Sequence, residues 1–322
     1  MYSKKILNIL IIFIVTVFIF EIFFQVIFKK TRYIYPMIFK HDIQTDFNVK
    51  YNNYFLSGNR KLVCNYNTNK KILFLGDSFV WGQGVNENEN FVNLYACSLK
   101  KKIKNIGNSG ADLDQYLKII KDQNLTNVDK IYLVLYQNDF EIFSNINFKS
   151  KFNENILTYQ FFKKIKMVIR NKFMNKKAIL INGKINNMAN LMNKNPNILL
   201  NWFESSEYKK KKLDVFFEKF KVIIGDDIQL IVFLIPEAST LSKKHVKFYK
   251  SLGGKYLPEF NQESDFSKIL RKLSAKFNFK YLDFFEFLKN QKIYSLENIY
   301  FDHDLHFNKK GNELVNIFLN KN

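Results

Sequence analysis

Acyl transfer needs a nucleophile, a base, a group to orient the base, and donors facing the oxyanion that forms. The sequence offers a candidate for each. Ser78 stands in Gly76-Asp77-Ser78-Phe79, directly after a short apolar run. His306, one of 4 histidines in the chain, stands in Asp302-His303-Asp304-Leu305-His306. Its imidazole can take the hydroxyl proton. Asp304, two positions earlier, can fix the imidazole tautomer and stabilise its cation, with Asp302 in reserve. The oxyanion donors are the backbone N–H of Ser78, the backbone N–H of Gly110 in Asn105-Ile106-Gly107-Asn108-Ser109-Gly110, and the side-chain amide of Asn138 in Tyr136-Gln137-Asn138-Asp139.

Residues so far apart in sequence converge only if the fold gathers them. Ile72–Leu75, Ile103–Ile106 and Ile131–Tyr136 read as apolar strands, and each leads into one of these clusters. Gln229–Ile235, closed by Pro236, and a stretch near 280–284 read as two more. Helical spacing of apolar residues marks about 90–101, 112–122, 264–277 and 309–319, the last directly after the His306 cluster. Strands alternating with helices predict a parallel sheet covered on both faces. Ligands of such sheets gather beyond the carboxyl ends of the strands, where these clusters fall. Between about 140 and 225 the alternation lapses, which predicts a helical insertion with helices near 159–174 and 202–222.

These same residues carry a family resemblance. GDSFVWGQGV, the NIGNSG turn, QND and DLHFNKKG are similar, in order, to the four motif blocks of SGNH/GDSL hydrolases. The resemblance covers roughly residues 70 to 322. It implies a flavodoxin-like three-layer α/β/α fold, hydrolysis or transfer of acyl groups on esters, and functional roles for Ser78, Gly110, Asn138 and His306. No cofactor or metal is expected. Two departures stand out. Gln137 occupies the position where the family's third block usually has Gly. The acid lies two residues before His306 rather than three, and this D-x-H spacing resembles membrane-associated members that act on polysaccharides. The substrate expectation is therefore an acylated cell-envelope carbohydrate carrying a short acyl group, acetyl first, with hydrolysis and transfer both open. The alternative is a silent protein that keeps the fold to bind glycan or protein partners.

Other chemistries fit less well. An α/β-hydrolase elbow needs Gly-x-Ser-x-Gly, but position 80 is Val. A dinucleotide fingerprint needs three glycines, and Gly82 and Gly84 lack the third. Metal binding by Asp302, His303, Asp304 and His306 would leave Ser78 without a role. The net charge of +21 could point to an anionic partner. Arginine, however, supplies only Arg32, Arg60, Arg170 and Arg271 of the 50 basic residues. Arg is the preferred reader of phosphates and bases, so nucleic acid is not expected, and the lysine excess reads as codon drift.

The N-terminus is organised differently. Ile6 to Phe28 is almost continuously apolar, and at ~1.5 Å per residue it gives ~34 Å of helix, enough for a hydrocarbon core of ~30 Å. It lacks the small residues of a cleavage site, so an uncleaved signal anchor in residues 1–31 is expected. Residues 32–69 then connect it to the domain at 70–322. Lysines flank the span on both sides, so orientation rests on the usual role of such a span, export of the domain that follows. Cys64 and Cys97 fit no metal spacing, and the sequence leaves their pairing open.

Overall fold

The computed structural model describes residues 12, 15–23, 62–64, 66–140, 180–181, 184–185, 192, 195–291, 296–302 and 304–322. The chain divides into two compact units, residues 1–42 with 143–178 and residues 43–142 with 179–322. In the first unit the described part of the expected span is helical over 15–23, with Phe18, Ile19, Ile22 and Phe23 exposed. The remainder of 6–28 lies outside the described residues, as do the helix expected near 159–174 and most of the 32–69 connection. Among the described residues no helix is long and apolar enough to cross a membrane.

The second unit is an α/β fold around a five-stranded parallel sheet. Its strands are β1 (Lys71–Leu75), β2 (Lys102–Asn105), β3 (Val128–Leu135), β4 (Gln229–Leu234) and β5 (Lys280–Tyr281). They lie side by side in the order β2-β1-β3-β4-β5. The chain thus steps outward from β1 one way to β2 and then the other way from β3, leaving a crevice where the direction reverses. The fifth strand is shorter than expected. Asp283 caps a helix there by accepting from Glu286 N–H, and this ends the ladder after Tyr281.

Side chains alternate across the pleat. Ile72, Phe74, Tyr132 and Val134 enter one apolar cluster, while Leu73, Leu75, Ile131, Leu133 and Leu135 enter the other. Helices α2 (Phe91–Leu99), α9 (Phe284–Lys289) and α10 (Lys309–Lys321) feed the first cluster. Helices α3 (Leu113–Lys121), α5 (Glu207–Ile224) and α8 (Asp265–Lys276) feed the second. Phe74 is fully buried, stacked on Tyr132 at 4.6 Å with Phe91 and Tyr95 at its edge, and such burial is worth ~2–3 kcal/mol.

Polar residues set the helix starts. Asn90, Asp112, Ser264 and Asn308 each accept a backbone N–H from the first turn that follows. The helix expected at 202–222 is two, α4 (Ile198–Phe203) and α5, because Ser206 is extended and caps the second. Leu213, Phe216, Phe217, Phe220 and Ile224 line the buried face of α5. The segment around 140–225 therefore ends in α5, the crossover helix that parallel β3 and β4 require. A disulfide joins Cys64 to Cys97, and Val63 N–H donates to Asn93 Oδ1 at 2.7 Å beside it. Together they fasten the described end of the connection to α2.

Candidate active site

The nucleophile position is built at the end of β1. Asp77 accepts from Phe79 N–H at 2.9 Å and starts the four-residue helix α1 (Ser78–Trp81), which Gly82 ends in the left-handed region. Gly76 permits this tight exit, since a Cβ there would sit 2.7 Å from Val134 O and 2.4 Å from Val80 Cγ2. The other end of α1 is held by Asn90 and Asn105, which donate to the Val80 carbonyl at 3.2 and 2.7 Å. Ser78 thus sits on a clamped turn, 7% exposed.

His306 comes from the opposite end of the chain, on the loop that the Tyr300–Phe307 bridge closes just before α10. Its Nε2 lies 2.7 Å from Ser78 Oγ. Its Nδ1 meets Asp304 Oδ1, which also accepts the His306 backbone N–H at 2.9 Å. A carboxylate only accepts, so Nδ1 carries the proton and the Nε2 lone pair faces the hydroxyl. Phe79 lies beneath the imidazole at 5.1 Å between ring centres, backed by Tyr136 and Phe307. Asp302 is turned outward and pairs with Lys244 at 2.5 Å. His303 lies outside the described residues.

The donor candidates come from the ends of β2 and β3. Gly110 has φ +77 and nothing within 4 Å of where a Cβ would stand. Its turn is tied to β1 by Asn108 N–H donating to Gly76 O at 2.9 Å, and to the turn after α1 by Ser109 Oγ donating to Gln83 at 2.9 Å. Among the described residues no acceptor meets the N–H of Ser78 or Gly110. Asn138 lies in a tight turn, Gln137–Phe140, that Asp139 holds by accepting from Tyr136 N–H at 2.8 Å and Tyr116 O–H at 2.9 Å. Asn138 Oδ1 is buried without a partner. Gln137, at the departure from the family pattern, is fully buried, and neither of its amide atoms has a partner.

Buried acids surround this centre. Burial pushes Asp77 above the usual carboxylate range, offset in part by the Phe79 N–H and by His306. Asp139 is raised well above it by burial and then by the nearby Asp77. Among the described residues no group of three or more His, Cys, Asp or Glu could hold a metal ion. Asn105 and Asp139 hold the site without having been singled out in the sequence. The available signal was a polar residue ending an otherwise apolar strand or turn, a pattern too common to point at a site.

A sequence model of the family described as GDSL-like Lipase/Acylhydrolase matches residues 72–317. Among solved structures, a lipolytic protein of the G-D-S-L family from Veillonella parvula is 15% identical, covering 78% of this chain and 97% of its own, at a TM-score of 0.41. Phospholipase A1 from Streptomyces albidoflavus is 13% identical, covering 78% of this chain and 98% of its own, at a TM-score of 0.46. No curated protein sequence matches the chain.

Proposed function

The chain belongs to the GDSL-like lipase/acylhydrolase family and is a hydrolase of the esterase type, and from that premise we propose that Ser78, His306 and Asp304 remove or transfer a short acyl group, acetyl first, on a cell-envelope carbohydrate. One observation carries the choice of residues: Nε2 of His306 stands 2.7 Å from Ser78 Oγ while Asp304 holds Nδ1. Ser78 Oγ attacks the ester carbonyl carbon as its proton passes to Nε2. The oxyanion forms against the N–H groups of Ser78 and Gly110 and the amide of Asn138. Collapse expels the alcohol, which takes the proton from His306 and leaves an acyl-serine. Water or a sugar hydroxyl then gives its proton to Nε2 and attacks the acyl carbon; the bond from that carbon to Ser78 Oγ breaks, Oγ takes the proton back from Nε2, and acid or the new ester is released.

The carbohydrate reading draws support from the rim near the His306 loop. Lys243, Lys247 and Lys250 are exposed on α7 (Lys243–Ser251), with Lys243 Nζ 5.3 Å from the ring of exposed Phe260. Aromatic faces suit sugar rings, and the lysines suit an acidic polymer. An extracytoplasmic domain draws support from the Cys64–Cys97 disulfide, since such bonds persist in oxidising compartments. The exposed apolar helix at 15–23 fits a membrane anchor.

The test is fluorophosphonate labelling and p-nitrophenyl acetate turnover, wild type beside Ser78→Ala. Loss of both in the variant is expected. A well-folded wild type that neither labels nor turns over would sink the reading. Acyl donor and glycan supplied together would then separate transfer from release of free acid.

A further inference from the structure

We propose that His245 is a positioning residue that holds the loop carrying Asp304 and His306, an inference that rests on the assignment of those two residues as orienter and base. His245 lies on the buried side of α7, with no exposed surface, between the rings of Tyr249 and Tyr300. Its Nε2 is 2.8 Å from the carbonyl oxygen of Phe301, at the start of that loop. A carbonyl only accepts, so Nε2 carries a proton whatever the charge on the ring.

The same carbonyl accepts Asp304 N–H at 3.3 Å, and Phe301 N–H donates to His306 O at 3.0 Å. Phe301 is therefore tied to the backbone of both proposed catalytic residues. The His245 bond fixes Phe301 against α7.

The far side of the ring faces the start of α7. Nδ1 lies 2.9 Å from Ser242 Oγ, which donates to Glu297 Oε2 at 2.9 Å. Glu297 in turn accepts Lys243 N–H and Lys244 N–H, each at 3.0 Å. The route runs from the start of α7 through one imidazole to the loop. Ser242 and His245 do not form a second hydrolytic pair, because Ser242 has no exposed surface for a substrate to reach. On the rim, the Lys244–Asp302 pair spans the same two elements, but it is solvent-exposed and holds little.

Three variants of the full-length protein separate positioning from mere core packing. His245→Gln keeps a donor near the Nε2 position. His245→Asn keeps a polar side chain too short to reach Phe301. His245→Leu fills the space with no donor. With p-nitrophenyl acetate, His245→Leu and His245→Asn should lose ~10²-fold in kcat with KM nearly unchanged, while His245→Gln stays within about fivefold of wild type. Hydrogen exchange at the Phe301 and Asp304 amides should quicken in His245→Leu and His245→Asn and not in His245→Gln. Should His245→Leu fail to fold, His245→Asn carries the comparison. Wild-type kcat with unchanged exchange in a folded His245→Leu or His245→Asn would overturn the proposal, and so would a His245→Gln that falls as far as they do. The exchange readout needs no turnover. An inactive wild type would therefore refute the serine-enzyme reading alone, while the amides still decide the role of His245.

Discussion

Replacing Glu237 by Gln should remove a defined part of the protein's pH-dependent instability. Glu237 follows β4 and has no exposed surface. Its carboxyl accepts the Tyr136 hydroxyl and, at 3.5 Å, the Ser239 N–H, and among the described residues it forms no ion pair. Burial pushes it from 4.5 up to about 7, against the opposing pull of those hydrogen bonds. The sign follows from proton counting. Between 4.5 and about 7 the folded chain keeps a proton that the unfolded chain has released, so stability falls as pH rises through that window and is level above it. At ~1.4 kcal/mol per pH unit, the ionised folded form is penalised by ~3 kcal/mol. Glutamine is the neutral isostere and escapes the penalty. Urea unfolding of both proteins from pH 4 to pH 8 measures it as the change in their stability difference, in which Asp77, Asp139 and other shared groups cancel. The variant should gain ~3 kcal/mol on wild type across the range. A difference that stays level within ~1 kcal/mol would refute the reasoning, because Glu237 would then ionise at equal cost in both states.

Asp304→Asn should lower kcat by up to ~10⁴-fold by allowing the wrong imidazole tautomer, whereas Asp302→Asn, which faces Lys244, should leave kcat unchanged. Steady-state kinetics on the two variants decides which acid orients His306. Cys97→Ser should cost ~3–4 kcal/mol in denaturant unfolding under oxidising conditions, the chain-entropy value for a separation of 33 residues, and nothing once both proteins are reduced. Gly107→Ala would place a Cβ 2.4 Å from Trp81 N and 2.8 Å from Val80 C. The helix bearing Ser78 must shift, so a loss of ~1–3 kcal/mol in unfolding together with lower kcat is expected.

All five strands and most core helices were legible because their signals are local. Continuous apolar runs for strands and helical apolar spacing for helices mark them within a few residues. The Ser78, Gly110, Asn138 and His306 candidates were legible for the related reason that each sits in a short motif at the end of such an element. The break at Ser206, the early end of β5 and the core role of α5 were not legible. The first two turn on single capping residues, Ser206 and Asp283, and the third on which face packs against the sheet, which composition does not carry. The order β2-β1-β3-β4-β5 and the pairing of Cys64 with Cys97 join distant segments in the same way. Between Asp302 and Asp304 the sequence could rank but not decide, since both flank His303. Only the folded loop turns one carboxylate onto His306 and the other out to Lys244. His245 and Glu237 carried no sequence signal at all. A buried titratable side chain acquires its role from the partners that surround it, and those partners, Phe301 for one and Tyr136 for the other, lie tens of residues away until the chain folds.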